Sequence, residues 1–377
     1  MRIAFVTDSY KPKIGGIESA VRNIAYTLAE EHEVFVITSA RKIGGYRVEE
    51  DGPVRVVRVD SGRLYYKGVT LNPLSALTLT KALKELKPDV VHGHGLFSTL
   101  SLIGVLAARR LKRPSLLTAH SFIGRDTPRY VVGTLRLLLQ RVDLVTAVSK
   151  AVAEEVYKRL RPREIFVTYN CVRMEEWSRE EPLELPGDPV VVSVIRLVPR
   201  KNPLALLKVA ERMKREAPGG VLYIVGDGVL RKPLERRAQA RGLNNLVFLG
   251  AASGESLRRV LAASHLFVLP TKLEAFGLSA LEAMAMGMPV VAMQSGGVAE
   301  LVEDGISGLL ARDEEELAAL TARLASDSVA LKVMGERARE RAQLFDCSRV
   351  VRMYLDAYEK ALQLRCWGKR LESSVDI

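Results

Sequence analysis

The sequence predicts an α/β protein made of two doubly wound domains whose parallel sheets face a common cleft. Three observations carry this. The chain has 377 residues, too many for one ordinary core and suited to two. Short β-branched runs alternate with helical patterns in both halves, the signature of βα units and a parallel sheet covered on both faces. A stretch over 178–189, with three prolines, a glycine and four acids, separates the halves as a linker would.

In the first half, strands are expected near 3–8, 33–38, 89–94, 115–120 and 144–148. A helix over 18–30 follows the first of them and sets Val21, Ile24 and Leu28 on one face. In the second half, strands are expected near 190–195, 222–225, 246–249, 266–269 and 290–292. The domains are therefore placed at 1–180 and 189–345. A last helix over 348–363, with Val351, Tyr354, Leu355, Tyr358 and Leu362 at helical spacing, is expected to pack back on the first domain. The tail over 365–377 is expected to be poorly ordered.

Net charge is +12, and it is uneven. Residues 1–180 hold 29 Lys and Arg against 19 Asp and Glu, whereas 181–377 hold 27 against 25. The excess peaks over 109–150. A basic half suits an anionic partner such as a phospholipid surface or a phosphorylated acceptor. No aromatic interleaving accompanies it, which argues against nucleic acid. The three cysteines, Cys171, Cys347 and Cys366, are sparse and odd in number, which argues for a reducing compartment and against a disulfide framework or zinc site. The N-terminus runs directly into a strand pattern, so no signal peptide is read, and no apolar run approaches a bilayer-spanning length. Cytoplasmic localisation is expected, with any membrane contact peripheral.

The most informative stretch is 271–300. Glu274 falls in a loop, Phe276-Gly277-Leu278 turns into a helix, and Glu282 lies on that helix. Gly277 lets backbone approach a ligand, and free amides at a helix start suit phosphate. The loop carboxylate can accept sugar hydroxyls and the helix carboxylate the two ribose hydroxyls, since a carboxylate is an acceptor with two oxygens. Glu282 is embedded among Ala280, Leu281, Ala283 and Met284, where a carboxylate without a partner would be costly. Arg196 ends a strand and Lys201 follows on the next loop. Two cations there can neutralise a diphosphate.

Other positions line the same expected cleft. Gly226 and Gly228 follow a strand, but Arg231 occupies the place of a third glycine, so a dinucleotide fingerprint is disfavoured. They are expected to let the chain pass near a nucleotide. Gly15 and Gly16, between the first strand and first helix, can bring amides to a phosphate or to the sugar. Asp8 and Tyr10 precede them and are assigned to the acceptor. His92 and His94 are expected on opposite faces of their strand, and no Cys or carboxylate pair accompanies them, so no metal is expected. His120 is placed to meet a ligand.

Together these residues resemble glycosyltransferase family 4, the retaining transferases of GT-B fold with two Rossmann-like domains facing a cleft. The resemblance spans nearly the whole chain. Its most specific piece is Glu274 to Glu282 with AFGLSALEAMAMGMPVVA around it, joined by the run from Ser295 through Gly296 and Gly297 to Glu300 and by the Arg196/Lys201 pair. It implies that Glu274 binds the donor sugar, Glu282 ribose, and Arg196 and Lys201 the diphosphate. His120 then faces the reacting sugar, and the leaving phosphate takes the acceptor proton without a cofactor. Asn170-Cys171-Val172-Arg173, Ile195 and Lys201-Asn202 depart from the family pattern at positions that are usually Asn-Gly-Val-Asp, Gly and Lys-Gly. A narrower likeness, in GGIES at 15–19, HGHGLFS at 92–98 and TAHS at 118–121, is to the catalytic subunits that add N-acetylglucosamine to phosphatidylinositol. It implies a lipid-linked acceptor. The alternatives are a GT-B sugar-nucleotide epimerase and a non-catalytic sugar-nucleotide binder.

Overall fold

Alternating buried runs and amphipathic segments assemble into two parallel sheets, one in each of two compact units. The computed structural model describes residues 1–13, 15–40, 45–60, 65–66, 69–70, 74–177 and 180–373. Unit 1 comprises Met1–Cys171 and Cys347–Ile377, and unit 2 Val172–Asp346. Residues 178 and 179 of the linker and residues 374–377 of the tail lie outside the described residues.

Unit 1 runs β1 (Arg2–Thr7), α1 (Gly16–Leu28), β2 (Glu33–Ala40), β3 (Tyr46–Asp51), β4 (Val54–Asp60) and the small pair β5 (Tyr65–Tyr66) and β6 (Val69–Thr70). It continues through α2 (Leu74–Leu86), β7 (Val90–His94), α3 (Thr99–Arg110), β8 (Ser115–Ala119), α4 (Arg129–Leu139), β9 (Leu144–Ala147), α5 (Lys150–Leu160) and β10 (Ile165–Val167). The strand order is β10-β9-β8-β7-β1-β2-β4-β3, parallel but for β3 against β4. The chain reverses its winding between β1 and β7. Alternate residues of a strand face opposite ways, and β1 shows it. Ile3 and Phe5 join one core layer with Val21, Ile24 and Leu28 of α1. Ala4 and Val6 join the other with Leu79 and Leu83 of α2 and Leu100 of α3.

Unit 2 runs β11 (Val190–Val194), α6 (Ala205–Glu216), β12 (Val221–Val225), α7 (Arg231–Ala240), β13 (Leu246–Gly250), α8 (Gly254–Ala262) and β14 (Leu266–Leu269). It continues through α9 (Leu278–Ala285), β15 (Val290–Met293), α10 (Val298–Leu301), β16 (Gly308–Ala311), α11 (Glu314–Ala325) and α12 (Ser328–Ala342). Its order is β13-β12-β11-β14-β15-β16, all parallel. That is the 3-2-1-4-5-6 winding of a dinucleotide-type fold, whose ligand crevice opens where the order reverses. The reversal falls between β11 and β14.

The final helix α13 (Cys347–Ser373) belongs to unit 1. Tyr354, Ala357, Tyr358 and Ala361 bury its face against the α1 layer. It runs on past the expected end at Gln363 to Ser373. The strands stand within one or two residues of their expected places. The hairpin β3–β4, the small pair β5–β6, β10 and β16 are additional. Cys171 and Cys347 form a disulfide, with Cα atoms 4.9 Å apart across a sequence separation of 176. This overturns the reading of sparse cysteines as unpaired.

Candidate active site

In unit 2 the predicted ligands gather at the reversal point. β11 ends at Val194, and the chain passes through exposed Arg196 into a 3-10 turn, Pro199–Lys201. β14 ends at Leu269 and leads into the loop that carries Glu274. Because β11 and β14 are hydrogen-bonded neighbours, the two loops meet. Lys201 Nζ donates to Glu274 Oε2 at 2.5 Å, with both side chains mostly buried. The loop is braced at several points. Gly297 N donates to the Glu274 carbonyl at 2.9 Å and Ser295 Oγ to the Thr271 carbonyl at 3.1 Å. Asn202, in a left-handed conformation, donates from Nδ2 to the Pro270 carbonyl at 3.2 Å.

Gly226 and Gly228 act on this arrangement through backbone. Their φ angles are +140° and +155°, and an added Cβ would stand 1.8 Å from the Ile195 carbonyl oxygen and 2.4 Å from that of Leu197. Only glycine allows β12 and its turn to lie this close to the Arg196 segment. Leu197 N donates to the Asp227 carbonyl at 2.9 Å, tying the two loops together.

Gly277, with φ +95°, caps α9, and Ala280 and Leu281 donate back to its carbonyl at 2.9 and 3.0 Å. Phe276 is buried, its ring edge-on to Phe345 with centroids 5.6 Å apart, and Leu278 is buried beside it. These two side chains anchor the helix start, so what they leave for a ligand is backbone. Glu282 is 9% exposed, and burial pushes its carboxyl up to about 8. Sequence reasoning missed Arg200. Arg200 is exposed, and its guanidinium is lowered from the usual range by partial desolvation and by the charge of Arg196, while Glu274 pulls it back up. It is therefore a third cation in the same turn. Its position directly before Lys201 was the available signal.

In unit 1 the loops after β1, β7 and β8 lie about that unit's own reversal point. Gly15 stands at the N-cap of α1 without a side-chain cap, and Gly16 opens the helix. Asp8 is buried. Its Oδ2 accepts from Ser98 Oγ at 2.8 Å and from Leu100 N at 3.1 Å, which ties β1 to the start of α3. Tyr10 is also buried, and its hydroxyl donates to Asp51 at 2.9 Å. The structure thus gives both residues bracing contacts inside unit 1.

His92 and His94 share a face of β7, with ring centroids 4.3 Å apart. The expectation of opposite faces was an error of register, since residues two apart on a strand point the same way. His92 hydrogen-bonds with the Tyr358 hydroxyl at 3.0 Å and with Thr118 Oγ1 at 2.6 Å. His94 Nδ1 meets His120 Nε2 at 3.0 Å. Burial lowers all three imidazoles, His92 to about 3 and His120 to about 4, so they are neutral near pH 7. Among the described residues no group of three His, Cys, Asp or Glu is placed to hold a metal ion.

Comparison with known proteins places the chain in a family. The family model "Glycosyltransferase Family 4" matches residues 14–176, and "Glycosyl transferases group 1" matches 174–341. The chain is 32% identical to a GDP-mannose-dependent alpha-mannosyltransferase of Mycobacterium tuberculosis, covering 82% of this chain and 83% of that protein. It is 28% identical to the gpi3 subunit of phosphatidylinositol N-acetylglucosaminyltransferase of Schizosaccharomyces pombe, over 89% and 75%. Among solved structures, sucrose-phosphate synthase from Thermosynechococcus elongatus superposes with a TM-score of 0.74 at 22% identity, over 99% of both chains. An Anabaena protein, HepE, solved with UDP and glucose, superposes at 0.73 and 20% identity, over 95% and 99%. The chain belongs to the family 4 glycosyltransferases, enzymes of GT-B fold.

Proposed function

We propose that the protein is a retaining glycosyltransferase that moves a hexosyl or N-acetylhexosaminyl group from a nucleoside-diphosphate sugar to a hydroxyl of a lipid-linked acceptor, without a metal ion. The observation that carries the donor side is the convergence of Lys201, Glu274, Arg196 and Arg200 at the reversal point of unit 2. The cations match the charge of a diphosphate, Glu274 accepts sugar hydroxyls, and Glu282 accepts the ribose diol. In the step itself the acceptor oxygen bonds to the anomeric carbon as the bond from that carbon to the phosphate oxygen breaks. The acceptor proton passes to the departing phosphate on the same face. Arg196, Lys201 and Arg200 stabilise the charge that gathers on the leaving group.

The lipid acceptor has separate support. Relatives are named the phosphatidylinositol N-acetylglucosaminyltransferase gpi3 subunit and alpha-monoglucosyldiacylglycerol synthase of Streptococcus pneumoniae. No helix among the described residues is long and apolar enough to cross a membrane, and the contact proposed is peripheral. Helix α4 supplies a surface for it. Tyr130 and Leu137 are 76% and 72% exposed, seven residues apart on one face. Arg125, Arg129, Arg136 and Arg141 are exposed around them. An apolar stripe ringed by arginines fits an anionic bilayer surface.

Donor binding is read by thermal shift against UDP-, GDP- and ADP-sugars, and transfer by product analysis on inositol phospholipids and other lipid acceptors. Arg196→Ala, Lys201→Ala and Glu274→Ala are each expected to lower turnover by roughly two to three powers of ten while the fold persists. Turnover at the wild-type rate in any of them would remove that residue from the mechanism. Release of an isomerised free donor in place of a glycosylated acceptor would make the enzyme an epimerase.

A further inference from the structure

The three histidines of unit 1 form a graded chain from the core outward. His92 is buried and held on both ring nitrogens, by Tyr358 of α13 at 3.0 Å and by Thr118 at 2.6 Å. His94 lies against it with centroids 4.3 Å apart, and Phe5 packs edge-on to His94 at 4.6 Å. The His94 carbonyl accepts from Ser101 Oγ at 2.9 Å, which fixes its backbone. His94 Nδ1 then contacts His120 Nε2 at 3.0 Å, and His120 alone of the three is not fully buried.

Two neutral imidazoles can share a hydrogen bond in only two ways. The proton lies on His94 Nδ1 and is given to His120, or on His120 Nε2 and is given to His94. The choice fixes the other nitrogen of each ring, because a neutral imidazole has one N–H. His94 Nε2 is buried with no hydrogen-bond partner. Were His120 the donor, the His94 proton would sit on that nitrogen as an orphaned buried N–H, the rarest and costliest kind of unsatisfied group. With His94 as donor, Nε2 is a bare lone pair and the cost is smaller.

We propose that His94 is a positioning residue, which donates from Nδ1 to His120 Nε2 and so holds His120 as the Nδ1–H tautomer. His120 then presents a fixed hydrogen-bond donor to an oxygen of the bound sugar or acceptor and has no free lone pair with which to act as a base. The inference rests on the transferase reading only for the identity of that oxygen. The tautomer itself is a property of the free protein.

The chain has five histidines, so nitrogen NMR of histidine-labelled protein can report each ring's tautomer, with His120→Asn used to assign the His120 signals. In the free wild type His120 is expected protonated at Nδ1. A His120 ring protonated at Nε2 overturns the proposal, whatever the enzyme transfers. His94→Phe keeps an aromatic ring and removes the donor. It is expected to release His120 to a tautomer mixture and to lower kcat by about 100-fold, the cost of a misplaced contact, with KM for the donor little changed. His94→Asn places an amide N–H near the Nδ1 position and is expected to recover most of kcat. Equal loss in both variants, or none in His94→Phe, counts against it. If His94→Phe fails to fold, the wild-type spectrum decides alone. Failure of donors to shift the wild-type melting temperature would defeat the transferase reading and leave the tautomer result standing.

Discussion

Glu282 and Arg200 show how one residue's surroundings set its chemistry. Glu282 stands at about 8 against an ordinary 4.5 because it is buried. A carboxyl that binds its proton more tightly when folded makes folding stability fall as pH rises from the ordinary value through about 8. Glu282→Gln cannot ionise, so in donor-free protein it is expected to melt with the wild type at acid pH and above it at alkaline pH. Parallel melting curves across the pH series would show a solvated carboxyl. The ribose diol would supply the two donors that burial denies this group. Glu282 was legible in the sequence because an acid inside an apolar helix is anomalous. Arg200 was passed over because a third cation in a short basic run looks like ordinary surface. The facing of His92 and His94 was misread through periodicity, not for want of information.

Strands buried on both faces announce themselves as β-branched runs, which is why β1, β7, β11 and β14 lay where the sequence put them. Strand β3 did not, since YRVEED alternates charge with half-buried positions at the sheet edge. Gly226 and Gly228 were legible as a constraint but not as a purpose. Their need becomes visible only when the Ile195–Leu197 backbone is seen against them. Helix α4 was legible only as charge. The sequence gives its arginines, while the exposure of Tyr130 and Leu137 had to come from the fold. If this face meets an anionic surface, Leu137→Ser with Arg136→Ser should lower co-sedimentation with phosphatidylinositol-containing vesicles several-fold, since each basic residue contributes about 1 kcal/mol near such a surface. Turnover on a soluble acceptor analogue should stay unchanged. Undiminished vesicle binding would move the membrane contact elsewhere.

The chain passes from unit 1 to unit 2 between Cys171 and Val172 and returns between Asp346 and Cys347. The disulfide joins the two unit 1 ends of these crossings, and Val172 N donates to the Phe345 carbonyl at 3.1 Å on the unit 2 side. No local pattern could reveal a pairing across 176 residues. A cross-link closing so long a loop restrains the unfolded chain, and such bonds contribute about 2–4 kcal/mol. Reductant is therefore expected to lower the melting temperature of the wild type and to leave a Cys171→Ala/Cys347→Ala variant, already lowered, unmoved. A wild type indifferent to reductant would show that the thiols are not joined in solution.

That seam bears on how such a protein can change. Residues 172–346 are one uninterrupted stretch of gene, and both extremities of the stretch meet at a single place. A piece whose ends coincide can be lifted out and replaced with little disturbance to its host, as tolerated domain insertions show. If that stretch selects the nucleotide, as proposed above, it is an exchangeable cassette, and a lineage could trade one sugar donor for another without rebuilding the remainder of the chain.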